Sequence, residues 1–258
     1  MVIRAIILAA GVNSRLGRYA KGLPKSLLPL GSLSLLERQL DFLINSGLRK
    51  KDIYVVSGYM ASKIKLVHDN LILNEKYRET DNAYSLHIAL DYLLKLPEVD
   101  PADQVIVLDC DLVYDKNLIP MITKTGGRNM LVTRKEHLLP GSKEEVVLVD
   151  DIGRVTQIFC FSDQSGHGSG KINSNEQFVY TGIMTLSNNA AWELNQMLRD
   201  KKFWTKWYTV PLSHLLSKVC FFNFPLSPPS FCFDVDTKED YERARNLLAQ
   251  HEAASNEK

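Results

Sequence analysis

Cysteine is scarce in this chain and scattered. Cys110, Cys160, Cys220 and Cys232 make no CxxC pair, so zinc-ribbon and dithiol redox chemistry lack sequence support. That spacing suits free thiols in a reducing compartment. The six histidines show no HxH or HExxH spacing, so no histidine-based metal or protease motif is present. Neither charge is in excess. With 31 basic and 30 acidic residues the net charge is +1, which gives no reason to expect nucleic acid or an acidic membrane surface as partner. No apolar stretch approaches the roughly 18 residues of a membrane span. The apolar run at the N-terminus is too short for a signal peptide with its cleavage site, and reads as a first strand. A cytoplasmic protein without membrane insertion is the expectation. What the chain does have is 45% hydrophobic content over 258 residues, enough for one large α/β domain or two small ones.

The stretch from Ile6 to Gly31 organises the rest. Ile6 to Ala10 is a short apolar run stopped by Gly11, the pattern of a buried strand ending in a tight turn. Arg15 and Lys25 lie within 15 residues of that turn. A strand ending in a glycine turn with cations around it suits an anion such as a nucleotide phosphate. Two better-known phosphate motifs do not fit. Gly17 and Gly22 have Walker spacing, but Leu23 stands where Lys is needed. Gly11 is followed by Val12-Asn13, so the three-glycine dinucleotide fingerprint is missing.

Ser34 and Glu37 have capping-box spacing ahead of Leu36, Leu40, Leu43 and Ile44, and Gly47 suits the helix end. Asp52 to Val56 reads as a second strand, which completes a strand–helix–strand unit and favours a parallel sheet. Residues 60–70 read as a polar-faced helix, 71–74 as a short strand, and Tyr84 to Leu96 as a helix. From about residue 130 strands dominate, with a hairpin turn at Asp150-Asp151 and Gly153. This part reads as an insertion into one domain, since no Pro/Gly/Ser linker separates it. Residues 162–175 are Gly/Ser-rich and read as a mobile loop, and Ile172 breaks any phosphate-loop match at Gly170-Lys171. Helices are expected over 188–200 and 240–250, the second capped by Thr237 and Asp240, followed by a polar, flexible tail at 251–258.

Two acidic pairs stand at strand ends, Asp109/Asp111 and Asp234/Asp236. In open α/β sheets ligands bind at the carboxyl ends of strands. Asp109 and Asp111 are two apart and would share a side of an extended chain. Converging carboxylates suit Mg²⁺, and Mg²⁺ beside an anion-binding turn points to phosphoryl or nucleotidyl transfer. A rival reading starts from the strand before Asp109, which resembles the first motif of haloacid-dehalogenase phosphatases. Asp109 would then be the nucleophile, Asp111 the general acid, and Asp150-Asp151 the later acidic motif. It leaves Gly11, Arg15 and Lys25 without a task.

Leu8-Ala9-Ala10-Gly11, Ser14-Arg15 and Pro24-Lys25 together resemble the signature of the nucleotidyltransferases that activate sugar phosphates and related small phosphates. Asn13 departs from the glycine many members carry. Asn74-Glu75-Lys76-Tyr77 and Asn82-Ala83-Tyr84-Ser85-Leu86 resemble the bacterial branch that makes CDP-choline. Asp109 to Asp115 resembles the aminoethylphosphonate cytidylyltransferases, and Phe233-Asp234-Val235-Asp236 the closing metal motif of both. The resemblance implies a Rossmann-like three-layer α/β/α fold with a mostly parallel mixed sheet. It implies one domain over 1–250: a nucleotide half (1–130), an acceptor-binding insertion (131–220), and a closing strand and helix (221–250). It implies CTP and a small phosphate or phosphonate as substrates, with phosphocholine first and 2-aminoethylphosphonate second, and Mg²⁺ as cofactor. A sugar or inositol phosphate is the alternative acceptor, and a catalytically silent nucleotide sensor the alternative class. It leaves room for a homodimer. By residue, it gives catalysis to Lys25 and Arg15, and nucleotide binding to Leu8, Ala10, Gly11, Ser14, Asn82 and Ser85. Metal ligation falls to Asp111 and Asp236, and the acceptor's border to Tyr180, Gly182, Asp109 and Asp234. A choline head would want an aromatic cage, for which Tyr180, Trp204, Trp207 and Tyr208 are candidates.

Overall fold

A computed structural model describes residues 2–12, 22–97, 100–136, 143–161 and 177–256. The chain opens with β1 (Ile3–Ala9), a hairpin of β2 (Pro29–Leu30) and β3 (Leu33–Ser34), and helix α1 (Leu35–Asn45). The capping box forms as the spacing predicts. The Ser34 hydroxyl accepts from the Glu37 amide, and the Glu37 carboxylate accepts from the Ser34 amide at 2.7 Å. Leu36, Leu40 and Leu43 are buried, but Ile44 turns to solvent. After β4 (Ile53–Ser57), α2 covers only Ala61–Lys65, because Ile64 is its one buried residue and no apolar stripe continues the helix. Next come β5 (Leu71–Leu73) and α3 (Asn82–Leu93). α3 starts two residues earlier than Tyr84, since Asp81 caps it by accepting from the Asn82 amide.

β6 (Gln104–Asp109), β7 (Leu112–Tyr114) and α4 (Leu118–Thr123) close the first half. The second half holds β8 (Met130–Arg134), β9 (Glu145–Val149), β10 (Val155–Cys160) and β11 (Gln177–Ser187). It continues with α5 (Asn188–Leu198), α6 (Thr209–Leu215), β12 (Phe222–Leu226), β13 (Cys232–Asp234) and α7 (Lys238–Asn256). The Asp150 turn makes the β9–β10 hairpin, with the Gly153 amide donating to the Asp150 carbonyl at 2.9 Å. α7 carries the expected Thr237–Asp240 cap and runs through Asn256, so 251–256 extend the helix. His-Glu-Ala-Ala adds good helix formers there.

The sheet runs β10-β9-β11-β6-β1-β4-β5, with β8 against β11 and β12 against β8. β1 lies parallel to β4 and β6, and β4 to β5, while β11 enters antiparallel beside β6. Residues 130–220 thus contribute strands to the same sheet. Alternate residues of β1 face opposite layers. Ile6 and Leu8 pack with Leu86 and Leu90 of α3, Leu194 of α5 and Leu212 of α6. Ala5 and Ile7 pack with Leu36 and Leu40 of α1 and Ile119 of α4. A smaller cluster joins Ala244 of α7 to Leu28, Val113 and Phe233. This is the expected α/β/α sandwich. No helix among the described residues is long and apolar enough to cross a membrane.

Candidate active site

β1, β4 and β6 end at one edge of the sheet, and the site is built there. The first fixed point is backbone. The Tyr59 amide donates to the Ala10 carbonyl at 3.1 Å, so the turn after β1 is tied to the end of β4. Gly58 makes this approach possible. A Cβ there would stand 2.8 Å from the Ala10 oxygen and 2.7 Å from the Tyr77 Cβ. Gly58→Ala is expected to cost about 1–3 kcal/mol of stability by overpacking against Ala10 and Tyr77, read as a lowered denaturation midpoint.

The second fixed point is the end of β6. Asp109 and Asp111 are not on one extended strand, as their spacing suggests. β6 ends at Asp109, Cys110-Asp111 form a turn, and the chain leaves the main sheet so that β7 can pair with β13. That pairing brings the second acidic pair to the first, since Asp234 lies opposite Leu112 and the Val235 amide donates to the Asp111 carbonyl at 2.9 Å. Gln39, buried on α1, braces the turn by donating to the carbonyls of Asp109 and Leu112.

Lys25 meets these acids from a single helical turn, Lys25–Leu27. Its ammonium donates to Asp111 Oδ2 at 2.6 Å and also to Asp236 Oδ1. Burial alone would lower the lysine's proton affinity, but Asp111 and Asp236 outweigh it and raise the pKa above the ordinary value. Asp234 goes the other way. Burial, then the charges of Asp111 and Asp236, push it up to about 7. Asp109 is raised well above the usual carboxylate range by burial and then by Asp111 and Glu145, against a hydrogen bond donated by Tyr208 at 3.1 Å.

Every described residue of the expected site faces one cavity of about 430 Å³. Leu8, Ala10 and Gly11 form one side, and Asn82 and Ser85 of α3 an adjacent one. Lys25, Asp111 and Asp236 stand at the sheet edge. Asp109, Asp234, Tyr180 and Gly182 border the half built by β11. Ser14 and Arg15, with Asn13 and the 162–175 stretch, lie outside the described residues. Gly182 sits at φ +82° in an irregularity of β11, where a Cβ would come 2.8 Å from Asp109 Oδ2.

Two aromatic candidates are corrected. Tyr208 is 1% exposed, and its hydroxyl links Asp109 to the Tyr180 hydroxyl, 3.1 Å from each. Trp204 packs on Tyr84 with ring centres 4.5 Å apart and donates its indole N–H to the Leu198 carbonyl. Trp207 and Tyr180 remain at the cavity. Sequence reading missed Glu145 and placed Asn74 and Tyr77 in a motif without giving them a role; all three line the cavity. Glu145 is one of two adjacent acids at a strand start, with nothing local to single it out. Burial pushes it up to about 7, against the hydrogen bond it accepts from Thr209, with Glu144, Asp234 and Asp81 adding to the rise.

The donor chemistry fits Mg²⁺. Asp111 and Asp236 already converge on one cationic atom, and Asp234 lies beside them at the same cavity. Among the described residues no group of three or more His, Cys, Asp or Glu forms a metal cage. Two carboxylates with substrate phosphates completing the shell is the usual magnesium arrangement. The phosphatase reading does not survive. Asp109 is buried and accepts from the Tyr208 hydroxyl, whereas a nucleophile needs a free carboxylate facing its substrate. Asp150 is spent on its own hairpin, accepting from Arg154 and Ile152.

The fold is that of nucleotidyltransferases. The CTP:phosphocholine cytidylyltransferase structure from Streptococcus pneumoniae matches with a TM-score of 0.74, over 96% of this chain and 100% of that one at 20% identity. Residues 5–162 match the MobA-like NTP transferase domain, and the chain belongs to that family. It is therefore an enzyme of the nucleotidyltransferase class. The choline-phosphate cytidylyltransferase of Haemophilus influenzae is 28% identical over 243 residues, 93% of this chain and 94% of the relative. The 2-aminoethylphosphonate cytidylyltransferase of Lancefieldella rimae is 30% identical over 94 residues, 34% of this chain and 37% of the relative.

Proposed function

We propose that the protein is a Mg²⁺-dependent cytidylyltransferase that moves CMP from CTP to phosphocholine and releases pyrophosphate. The observation that carries this is the meeting of Lys25, Asp111 and Asp236 at the sheet edge beside the Gly11 turn. An acceptor phosphate oxygen attacks the α-phosphorus in line, a new P–O bond forms, and the bond to pyrophosphate breaks. The acceptor oxygen is already anionic, so no side-chain nucleophile is needed. Cys110 lines the cavity, but burial and then Asp111 hold its thiol protonated. The obstacle is repulsion between anions, so positioning and fixed positive charge supply the catalysis. Lys25 exchanges carboxylate oxygens for those of the α-phosphate, with Arg15 on the triphosphate. Mg²⁺ on Asp111 and Asp236 would supply charge to the phosphate oxygens and orient the leaving group.

The acceptor half favours a cation. Glu145 and Asp234 border it beside Tyr180 and Trp207, a combination that suits a trimethylammonium or primary ammonium head better than a neutral polyol. The 2-aminoethylphosphonate reading shares this support and stands second. Pyrophosphate release should therefore follow CTP with phosphocholine or 2-aminoethylphosphonate, and be much slower with inositol or sugar phosphates. Absence of release with every nucleotide–acceptor pair would sink the proposal.

The same half predicts a pH effect. Glu145 is neutral below about 7 and ionised above it, so its attraction for a cationic acceptor appears as pH rises. KM for phosphocholine should fall between about pH 6 and 8. The phosphate of the acceptor titrates near 6 on its own and Asp234 is also pushed up to about 7, so the comparison is with Glu145→Gln, in which the part of the fall centred near 7 should shrink, and with Glu145→Gln/Asp234→Asn, in which it should vanish.

A further inference from the structure

Asn74 is 1% exposed, lies at the end of β5 and donates its own backbone N–H to the Ser57 carbonyl at 2.8 Å. Its amide could face either way in principle, but one neighbour decides the orientation. The Lys76 backbone N–H can only donate, and it stands 2.9 Å from Asn74 Oδ1. The Nδ2 group therefore points the other way, to Ser85 Oγ at 3.0 Å and, more weakly, to Thr80 Oγ1 at 3.4 Å. Thr80 has already given its own proton to the Lys76 carbonyl at 2.8 Å. Every direction in this network follows from one backbone amide. Ser85 must accept from Asn74, and its single proton is left for another partner. Both residues line the cavity, Ser85 from the first turn of α3.

We propose that Asn74 sets the base preference of the enzyme by holding the Ser85 hydroxyl as a hydrogen-bond donor that meets N3 of the pyrimidine. This rests on the cytidylyltransferase reading and deepens it. N3 of cytosine is an unprotonated acceptor, whereas N3 of uracil carries a hydrogen and can only donate. With the Asn74 amide on one lone pair, the Ser85 hydroxyl turns its proton to the first base, whereas the second can use only the remaining lone pair and leaves that proton without an acceptor. Asn74 is a positioning residue here, and Ser85 is the group that touches the base.

The test is a change of polarity without a change of shape. Asn74→Asp keeps the acceptor for the Lys76 amide and puts an oxygen where Nδ2 stood. Ser85 then donates to that oxygen and offers the cavity a lone pair. The ratio of kcat/KM for CTP over UTP, with phosphocholine and Mg²⁺, should drop by about 10- to 100-fold, the loss expected when one buried hydrogen bond is left unmade. Calorimetric binding of CTP and UTP should shift in the same direction. A purely structural role would lower both nucleotides together and leave the ratio alone. Ser85→Ala should also lose the preference, and Asn74→Asp placed in that background should change the ratio no further. A parent that uses UTP as well as CTP overturns the cytidine reading and this inference with it. A parent selective for CTP whose selectivity survives either single substitution overturns the inference alone. If Asn74→Asp does not fold, Asn74→Ala, which withdraws the amide from the Ser85 hydroxyl, should lower the same ratio, and a ratio left at the parent's value overturns the inference.

Discussion

Lys25→Ala should release pyrophosphate at least about a hundredfold more slowly than the parent, a loss of about 3 kcal/mol of transition-state stabilisation. The reason lies in where the ammonium stands. It is enclosed, with a side chain 14% exposed, and both of its described partners are carboxylates of the same site. Once a nucleotide brings its phosphates to that edge, the ammonium gains a more highly charged partner at little cost in movement. The loss should fall on kcat, because charge at the α-phosphorus grows only as the bond to pyrophosphate breaks. Lys25→Arg should recover little, since a planar fork does not reproduce a compact charge between two converging oxygens. A second readout needs no turnover. With the ammonium gone, Asp111 and Asp236 face each other without it, so added Mg²⁺ should raise the melting temperature of Lys25→Ala more than that of the parent. An alanine variant with parental rate would remove Lys25 from the chemistry.

The largest expected effect on stability sits at the opposite end of the same strands. Arg4 of β1 donates to Asp103 Oδ2 at 2.6 Å, with side chains 8% and 3% exposed. Asp103 also accepts from the backbone amides of Val2 at 2.6 Å and Asp100 at 3.1 Å. Asp103→Ala removes the carboxylate and leaves a buried guanidinium without it, together with two amides. Breaking one side of such a pair costs about 3–5 kcal/mol, which should be evident as a lower midpoint in urea. The pair also gives a sign with pH. Burial works to raise the Asp103 pKa, but the Val2 amide, Arg4 and the Asp100 amide overcome it and hold the pKa below its ordinary value. The contribution is therefore fully present above the unfolded value of about 4 and drains away as pH falls through the folded one. Parent and Asp103→Ala should converge in stability in acid. A constant gap between them down to the acid transition would show that the carboxylate's charge is not what stabilises the pair.

Much of the framework was legible because its signals are local. An apolar run cut by Gly11 is a strand and turn, and Ser34 with Glu37 is a helix start, whatever else the chain does. The Asp150 turn needed only its own five residues. The α6 segment was not legible as a helix. Four aromatics precede it and Pro211 interrupts the pattern, yet proline in a first turn forfeits no helical hydrogen bond. The site divides in the same way. The residues of the expected site that the structure describes surround one cavity because strand ends and glycine turns mark the sheet's edge. What escaped depends on distant partners. Tyr208 looks like an aromatic for a cage until its hydroxyl is found beneath Asp109, and Asn74 gains meaning only from Ser85, eleven positions on. Spacing likewise could not show that the chain turns between Asp109 and Asp111, because the turn is imposed by β13, more than a hundred residues later.

β11 has one further consequence. This strand of 11 residues pairs through Ile183–Ser187 with β6 and through Gln177–Val179 with β9. Tyr180 and Gly182 lie between the two pairings. On the proposed reading, the acceptor's wall continues the same strand that flanks Asp109. Such a beam separates two kinds of evolutionary change. On that reading, side chains along β9 and the segment before α6 could be exchanged to suit another headgroup while the sheet stays unchanged. A lineage built on this plan can diversify its acceptors without rebuilding its chemistry.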